Sequence, residues 1–379
     1  MMTYADVALG VLFGLPWLGV HLGMGRGGGK WHLSPVGTNG VRDDVLVVVP
    51  ARNEALNIGA CIKALRKSEG IDLAVHIVDD NSSDDTVVQA LLAIEEDPAI
   101  SIMSAGPCTE DWAGKSWACQ QGSLENRADW LLFVDADVRV HPLTAASMVS
   151  TARLENLDIL SLFGTWELIG FWEKLLIPAI GWFIRGAIQI DSVNEGGRAF
   201  ANGQCLLMRT ATYERIGGHG AIRSSVLDDV DIAKAVFHQG GKGGLRIAPW
   251  AFSVRLYRGF NEIAQGYRKN LYAGMDRRPG VALAATVVIF LLSAGPFLWL
   301  VASALLGDGY SVLVAAALCA SVVTYRIRLE RRDGRSGNWW LGFLHPLAGV
   351  FLSGLILWSM LSGRTTWKDR SFRAGNAEH

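Results

Sequence analysis

The sequence contains few charged residues and carries almost no net charge. Of its 379 residues, 19% are Asp, Glu, Lys or Arg, against roughly 25% in an ordinary soluble domain. The 35 basic and 36 acidic residues leave a formal net charge of -1, so no strong overall field would gather nucleic acid or another polyanion. Because 50% of the residues are hydrophobic, a purely cytosolic globular protein is also disfavoured. We predict no nucleic acid partner.

Paired cysteines and two common phosphate-binding loops are also missing. The five cysteines show no CxxC spacing and are odd in number, which argues against a disulfide framework and favours reduced thiols in a core. The sequence has no GxxxxGK[ST] motif and no GxGxxG that opens a helix after a strand. Any nucleotide must therefore be bound by a different arrangement.

A long apolar run lies near the start of the chain. Residues 3–23 carry one early acid and no base, and they are nearly long enough to cross a ~30 Å hydrocarbon core. A cleaved signal peptide is the alternative, but it requires a basic segment at its start, which is missing here. We therefore predict an N-terminal membrane anchor over residues 1–24. Arg26, Lys30 and Arg42 follow it and predict that the next domain is cytoplasmic.

Three further apolar segments lie at residues 281–306, 310–325 and 339–361. They predict two to three C-terminal transmembrane helices over residues 281–361, followed by a polar tail at 362–379. Both the arginines between the last two segments and the basic tail would prefer the cytoplasm, which three full crossings do not allow. A re-entrant segment broken at His345-Pro346 would resolve this, so the number of crossings stays open. We predict a multi-pass protein of the cell (inner) membrane.

Residues 44–275 have the pattern of an α/β domain. Apolar runs of strand length occur at 45–49, 74–78, 100–103 and 130–134. Between the first two, Ile58, Ile62 and Leu65 fall at helical spacing. Unbroken apolar runs are typical of strands that are buried on both faces of a parallel sheet. The pattern predicts a mostly parallel central sheet in βαβαβ order, with ligands bound beyond the carboxyl ends of its strands.

Acidic residues follow three of these predicted strands. They lie in the segments PARNE at 50–54, DDNSS at 79–83 and DAD at 135–137. A single acid there could be a helix cap, but clustered carboxylates repel unless a cation or hydrogen-bond donors occupy the site. Two acids in a tight turn after a buried strand suit Mg²⁺ or Mn²⁺ that also binds a diphosphate. Lys115 is a candidate diphosphate contact, although a lone lysine is more often a solvated surface residue.

The ordered set of motifs resembles the family 2 glycosyltransferases. These motifs are VVVPARNEALNIGACIKAL, VDDNSSDDT, FVDADV, ANGQCLLMR and VLDDVDIA. EDWAGKSWA, FWEKLLIPA and GGHGAIRSSVLDDV are similar to a membrane branch that contains hopene-associated glycosyltransferases and carotenoid (chlorobactene-type) glucosyltransferases. The resemblance covers roughly residues 44 to 275 and the membrane helices after them. It implies a GT-A nucleotide-sugar fold, a UDP-sugar donor and a divalent cation.

The resemblance also implies roles for individual residues. Nucleotide-sugar contacts are implied for Pro50, Ala51, Glu54, Asp80, Lys115, Asp135 and Ala136. Asp137 is the implied metal ligand. Asp229 matches the general base, and Asp228 stands where the family usually has Glu. The acceptor or diphosphate region is implied at Asn202, Gly203, Gln204, Gln265 and Arg268.

These residue types suit a single displacement at the anomeric carbon of the sugar. Asp229 would remove the proton of an acceptor hydroxyl while the diphosphate leaves from the opposite face. A divalent cation with Lys115 or Arg268 would stabilise the charge on the leaving diphosphate. No second carboxylate nucleophile is required, which separates this chemistry from retaining hydrolysis. The alternative for Asp228 and Asp229 is an acidic pair favoured by a helix N-terminus.

Two segments, near 171–188 and 261–275, are predicted to be interfacial helices. The first is apolar around most of its circumference and contains Pro178, so it is either a kinked core helix or a helix at the membrane surface. A surface position would allow a lipid to reach Asp229. In the second, Gln265, Arg268 and Lys269 lie where processive relatives carry QxxRW, and the missing Trp argues against polymer synthesis.

The preferred function is transfer of a sugar, glucose by resemblance, from a UDP-sugar to the hydroxyl of a membrane isoprenoid lipid such as a carotenoid or hopanoid. Transfer to polyprenyl phosphate or to ceramide is a second enzyme hypothesis. A third hypothesis, from another class, is a nucleotide-binding membrane scaffold without activity. The sequence leaves open the acceptor, the sugar, the preferred metal and the oligomeric state.

Overall fold

The computed structural model describes residues 4–26, 30–36, 43–332, 336–362, 364–367 and 370–373. Residues 1–3 of the predicted anchor, Arg42 and much of the predicted tail lie outside this set. Within it the chain divides into two compact units. A sheet unit contains residues 31–167 and 188–256, and a helical unit contains residues 4–30, 168–187 and 257–373.

The helices and strands of both units follow in chain order. The helices are α1 (Tyr4–Arg26), α2 (Ile58–Leu65), α3 (Thr86–Ile94), α4 (Gly114–Ser123), α5 (Thr144–Leu154), α6 (Phe171–Ile188), α7 (Ile190–Asn194), α8 (Thr210–Arg215), α9 (Asp228–His238), α10 (Phe260–Asn270), α11 (Pro279–Leu306), α12 (Gly309–Arg332) and α13 (His345–Leu361). The strands are β1 (Asp44–Ala51), β2 (Asp72–Asp79), β3 (Ile100–Ser104), β4 (Trp130–Val134), β5 (Val138–Val140), β6 (Ile159–Phe163), β7 (Thr165–Trp166), β8 (Cys205–Arg209), β9 (Gly243–Ile247), β10 (Phe252–Val254), β11 (Arg364–Trp367) and β12 (Arg370–Arg373). Short 3₁₀ segments lie at Gly218–Ile222, Ala273–Met275 and Ser336–Leu344.

The central sheet has the strand order β3-β2-β1-β4-β8-β6-β9. Strands β1 to β4 pair in parallel, as predicted, and β9 is parallel to β6. Strand β8 is antiparallel to both β4 and β6, so its first residue, Cys205, pairs with Val134 at the end of β4. The prediction of a mostly parallel sheet is confirmed. The reversal at β8 brings the residues before Cys205 to the edge at which β1, β2 and β4 end.

Both faces of the sheet are buried, because successive apolar side chains along its strands point alternately toward two layers of helices. Val47 and Val49 face a cluster that includes α2 and α5, whereas Val48 faces a cluster that includes α4 and α9. Burial of each such side chain contributes about 1.5–3 kcal/mol. Helix α4 approaches β1 and β2 closely at Gly122, where an added Cβ would lie 2.6 Å from Val48 and from Val78. This close approach fixes the position of α4 and therefore of Lys115 at its N-terminus.

Among its described residues, the helical unit contains three helices that are long and apolar enough to cross a membrane, at Pro279–Leu306, Gly309–Arg331 and Gly337–Leu361. They confirm the predicted C-terminal apolar helices, and the second extends beyond the predicted residues 310–325. A 3₁₀ segment precedes α13, so the helical geometry changes at His345, where a break was predicted. In α1 the apolar stretch is shorter, Asp6–Leu22. At 1.5 Å per residue it spans only about 25 Å.

The predicted helix at 171–188 is present as α6, with Pro178 inside it. Its indole at Trp182 stacks on Trp17 of α1, with ring centroids 6.2 Å apart, and also contacts Tyr325 of α12. Arg326 of α12 donates to the backbone carbonyl of Lys174 at 2.6 Å. Helix α6 therefore packs with the apolar helices of its unit, although it lies between β7 and α7 in the sequence.

Candidate active site

The loops after β1 and β2 are joined by hydrogen bonds at one edge of the sheet. The Asp80 N–H donates to the Ala51 carbonyl at 2.8 Å, and the Asn53 N–H donates to Ser82 Oγ at 3.0 Å. Asn53 has a φ of 52°, a left-handed conformation that Asn tolerates better than most residues. Asp80 is only 3% exposed. Two of the predicted nucleotide contacts, Ala51 and Asp80, are therefore neighbours.

Glu54 lies at the start of the same pair of loops. Its backbone N–H donates to Thr86 Oγ1 at 2.7 Å, and its carboxylate accepts from the Asn57 amide at 2.7 Å. Asp84 accepts from the Thr86 hydroxyl and from the Ala55 N–H. The positioning contacts of Asn53, Ser82 and Asp84 were not predicted from the sequence. The signal for Ser82 and Asp84 was the SSDDT run at 82–86, since Ser, Thr and Asp commonly bond nearby backbone in turns.

Lys115 joins two carboxylates from different elements. Its Nζ lies 2.9 Å from Asp135 Oδ1, after β4, and 3.3 Å from Asp228 Oδ2, at the start of α9. Burial lowers the pKa of Lys115, but the carboxylates of Asp135 and Asp228 outweigh it and hold that pKa well above its ordinary value. Lys115 is therefore charged at neutral pH. Because its side chain is 39% exposed, a bound anion could still reach the ammonium group.

Asp229 is held from two sides. Its Oδ2 accepts the Gly203 N–H at 2.7 Å, and its Oδ1 accepts the Val230 N–H at 2.9 Å. Burial, with a further contribution from the negative charge of Asp228, raises the pKa of Asp229 to about 6, although Lys115 opposes this. Asp228 and Asp229 do occupy the first turn of α9, as the helix N-terminus hypothesis requires. That hypothesis does not account for their contacts with Lys115 and Gly203.

The segment before β8 contributes Gly203 to the cluster formed by Lys115, Asp135, Asp228 and Asp229. An added Cβ at Gly203 would lie 3.1 Å from Asp229 Cβ and 3.2 Å from Lys115 Nζ. The two neighbours of Gly203 bond other strands. The Asn202 amide donates to the Leu162 carbonyl at 2.6 Å, and the Gln204 carbonyl accepts the Asp135 N–H at 3.2 Å. Of the three residues predicted here, Gly203 contacts Asp229, whereas Asn202 and Gln204 connect the strands.

We expect Gly203→Ala to slow turnover without unfolding the protein. The added methyl group would displace Asp229 and Lys115 by a few tenths of an ångström. We predict a fall in kcat of about 10- to 100-fold, since a 1 Å misplacement can cost about 100-fold. Gly59→Ala in α2 is the matched control, because its Cβ would meet only ordinary contacts, the nearest at 3.8 Å. Equal kcat values for both variants, measured with Tm, would contradict the positioning role of Gly203.

Asp137 follows β4 and is half-buried. Burial raises the pKa of the Cys61 thiol, and the carboxylates of Asp137, Glu54 and Asp135 raise it further, so three acids act on one point. Among the described residues, no group of three or more His, Cys, Asp and Glu could enclose a metal ion. A metal at Asp137 would take its other oxygens from a diphosphate and water, which is the usual mode for Mg²⁺.

A buried network supports the segment that precedes α9. The His219 ring bonds the Tyr213 hydroxyl at 2.8 Å, and the Ser123 hydroxyl donates to the same oxygen at 3.1 Å. His219 is 2% exposed, and its burial lowers its pKa to about 4, so it is neutral at pH 7. These contacts and this burial indicate a structural role for His219.

Gln265 and Arg268, the remaining predicted residues, lie on α10 in the helical unit. Gln265 lines a cavity between α10 and α13. The guanidinium of Arg268 lies 4.8 Å from the centre of the Trp358 ring of α13. Both residues thus belong to the helical unit, whereas Lys115, Asp135, Asp228 and Asp229 belong to the sheet unit.

Known proteins resemble the chain in sequence and in fold. Residues 46–217 match the sequence model of glycosyl transferase family 2. The chain is 24% identical over 339 residues to 4,4'-diaponeurosporenoate glycosyltransferase of Staphylococcus aureus (strain USA300), a match that covers 86% of this chain and 87% of that protein. A mannosyltransferase from Pyrobaculum calidifontis, solved in complex with GDP-Man and Mn²⁺, matches with a TM-score of 0.55 and 17% identity, over 90% of this chain and 97% of that one.

Proposed function

Since this chain is a glycosyltransferase with a family 2 domain and a GT-A fold, we propose that it transfers glucose from UDP-glucose to a membrane isoprenoid lipid, with inversion at the anomeric carbon. The acceptor group is a hydroxyl on a carotenoid or hopanoid-like lipid. The observation that carries the proposal is the carboxylate of Asp229, oriented by Gly203 and adjacent to the cation of Lys115.

Asp229 is the general base of this mechanism. With a pKa of about 6 it is mostly ionised at neutral pH, and it is a stronger base than an ordinary aspartate. The N–H groups of Gly203 and Val230 fix its two oxygens. Each oxygen keeps a further lone pair, so one can accept the acceptor hydroxyl proton while the new glycosidic bond forms.

The donor lies on the loops after β1, β2 and β4. Ala51, Glu54 and Asp80 line the nucleotide pocket, and Lys115 exchanges part of its contact with Asp135 and Asp228 for the diphosphate. Asp137 would hold a divalent cation, Mg²⁺ or Mn²⁺, which when bound neutralises charge on the leaving diphosphate. The mannosyltransferase of similar fold was solved with Mn²⁺ and a nucleotide sugar, which supports this assignment.

Two observations support a lipid acceptor. In the part of the chain that the structure describes, three helices are long and apolar enough to cross a membrane. The protein is therefore membrane-associated, and we place it in the cell (inner) membrane with the sheet unit in the cytoplasm. The Staphylococcus aureus relative is named for 4,4'-diaponeurosporenoate, a name with the ending of a carboxylate. A lipid carboxylate is therefore the second candidate acceptor group, and it would need no base because it is already ionised.

Membranes from cells that express the chain test this function. We expect UDP-glucose, but not GDP-mannose, to add one hexose to an isoprenoid alcohol in lipid extracts analysed by mass spectrometry. NMR of the product is expected to show the anomeric configuration opposite to that of the donor. The matched control is the Asp229→Asn variant. Hexose found only in polyprenyl phosphate or ceramide, or a retained configuration, would overturn the proposal.

A further inference from the structure

An open groove lies between α10 and α13 in the helical unit. Its volume is about 440 Å³, within the range of small-molecule sites. One wall is formed by Phe260, Asn261, Ala264 and Gln265, and the other by Val350, Phe351, Gly354, Leu355 and Trp358. The α13 wall lies inside the candidate membrane span Gly337–Leu361. The groove is thus placed where a hydrocarbon chain can enter it.

The middle of the groove is open because the residue there, Gly354, has no side chain. Val350, Gly354 and Trp358 follow one another at four-residue spacing, so they form one stripe along α13 over about 12 Å. Gly354 is exposed, and a Cβ added there would meet no atom within 4 Å. A larger residue at this position would fill the middle of the groove without a backbone clash.

The two walls differ in polarity. The α13 wall is apolar apart from the indole N–H of Trp358, whereas α10 contributes the amides of Asn261 and Gln265. Arg268 stacks over Trp358, and the Ser359 hydroxyl donates to the Arg268 carbonyl at 2.6 Å, so α10 and α13 are fixed to each other beside the groove. An occupant that fits both walls has a hydrocarbon body and a small polar end.

We propose that this groove binds the isoprenoid chain of the acceptor lipid, with the Gln265 amide hydrogen-bonded to the lipid's polar end. The assignment rests on the proposed function, because it takes the acceptor class from there. A second copy of the chain would need a projecting element to enter the groove. A single isoprenoid chain enters sideways from the bilayer.

Photolabelling of the full-length protein in nanodiscs tests the groove. The probe is farnesol that carries a diazirine, used without any sugar donor, and cross-linked peptides are identified by mass spectrometry. We expect labels within residues 260–265 and 350–358. In Gly354→Leu we expect labelling to fall, and the KM for an isoprenoid alcohol to rise about tenfold, which corresponds to roughly two lost CH₂ contacts.

The matched control is Gly19→Leu in α1, another exposed helical glycine whose Cβ would meet nothing within 4 Å. UDP release from UDP-glucose in the absence of acceptor should stay unchanged in both variants, which reports correct folding of the sheet unit. A second filling variant, Val350→Phe, should act like Gly354→Leu.

Three results would overturn the assignment of the groove. The first is equal labelling of Gly354→Leu and wild type, and the second is an equal loss of labelling in Gly19→Leu. The third is a reduction of labelling by a phospholipid with two acyl chains that is as large as the reduction by unlabelled farnesol. Labelling without donor does not depend on turnover. Groove labelling with no transfer to any isoprenoid would therefore reject the proposed function alone. Transfer with an unchanged KM in both filling variants would reject the groove alone.

Discussion

Asp229→Asn is expected to lower kcat for a hydroxyl acceptor by about 1000-fold, within the usual contribution of a general base. Asn has nearly the same shape, and its single carbonyl oxygen can still accept the Gly203 N–H, while its NH₂ group gives up the bond from the Val230 N–H. What it loses is the ability to take a proton. We therefore expect donor binding, measured as the KM for UDP-glucose, to change little while kcat falls.

Asp231→Asn is the control for this variant, because it removes a negative charge from the same first turn of α9. Asp231 bonds Ser225 at 2.6 Å and Lys234 at 3.2 Å, and it is expected to affect kcat only slightly. If Asp229→Asn kept wild-type kcat, Asp229 would not be the base. The lipid carboxylate or a polyprenyl phosphate would then become the favoured acceptor, since neither needs deprotonation.

The pH dependence gives a second measurement of the same residue. Asp229 has a raised pKa of about 6, so it is protonated and inactive as a base below that pH. We expect kcat/KM at pH 5 to be about tenfold below its value at pH 8. The negative charge of Asp228 raises this pKa and Lys115 lowers it, so Asp228→Asn should shift the inflection to lower pH. A profile that is flat between pH 5 and pH 8 would contradict the assignment.

Local patterns in the sequence predicted the first half of the sheet because its strands are buried on both faces. Runs such as Val45–Val49 and Trp130–Val134 have no polar alternation, and they appear as β1 and β4. Chain order then placed Ala51, Asp80 and Asp135 at one edge, where the Asp80 N–H bonds the Ala51 carbonyl and the Asp135 N–H bonds the Gln204 carbonyl. These parts needed only short-range information.

The contact between Gly203 and Asp229 could not be predicted in this way. It requires β8 to run antiparallel between β4 and β6, a pairing that joins Val134 to Cys205 across 71 positions. No local pattern records that reversal. The sequence named Gly203 through a family resemblance, and only the fold shows that its missing Cβ is what gives Asp229 room.

The substitution at position 228 shows the same limit. The resemblance to family 2 glycosyltransferases implies Glu at this position, and aspartate is shorter by one CH₂. In the fold, α9 begins close enough to α4 that Asp228 Oδ2 still reaches Lys115 Nζ at 3.3 Å. Helix placement compensates for side-chain length, and helix placement depends on contacts such as Gly122 against Val48 rather than on the motif.

Asp137→Asn is expected to remove the response of the protein to divalent cations. A direct ligand should matter at least as much as the residues around a metal, whose loss costs about 10- to 100-fold in affinity. We therefore predict that the affinity for the Mn²⁺ that strengthens UDP binding falls by at least about 100-fold. The amide of Asn is a much weaker ligand for a hard cation than a carboxylate, although its size is the same.

The measurement is the Tm of the full-length protein with UDP, as Mn²⁺ is titrated, because ligand binding raises Tm without any need for turnover. Asp85→Asn is the control, since Asp85 is an exposed acid before α3 whose side chain makes no cap hydrogen bond. In wild type and in Asp85→Asn, Mn²⁺ should raise the Tm further than UDP alone. In Asp137→Asn the UDP shift should remain and the Mn²⁺ increment should vanish. An undiminished increment in Asp137→Asn would show that the cation is held elsewhere, and loss of the UDP shift in the absence of Mn²⁺ would show that Asp137 supports the nucleotide loop itself.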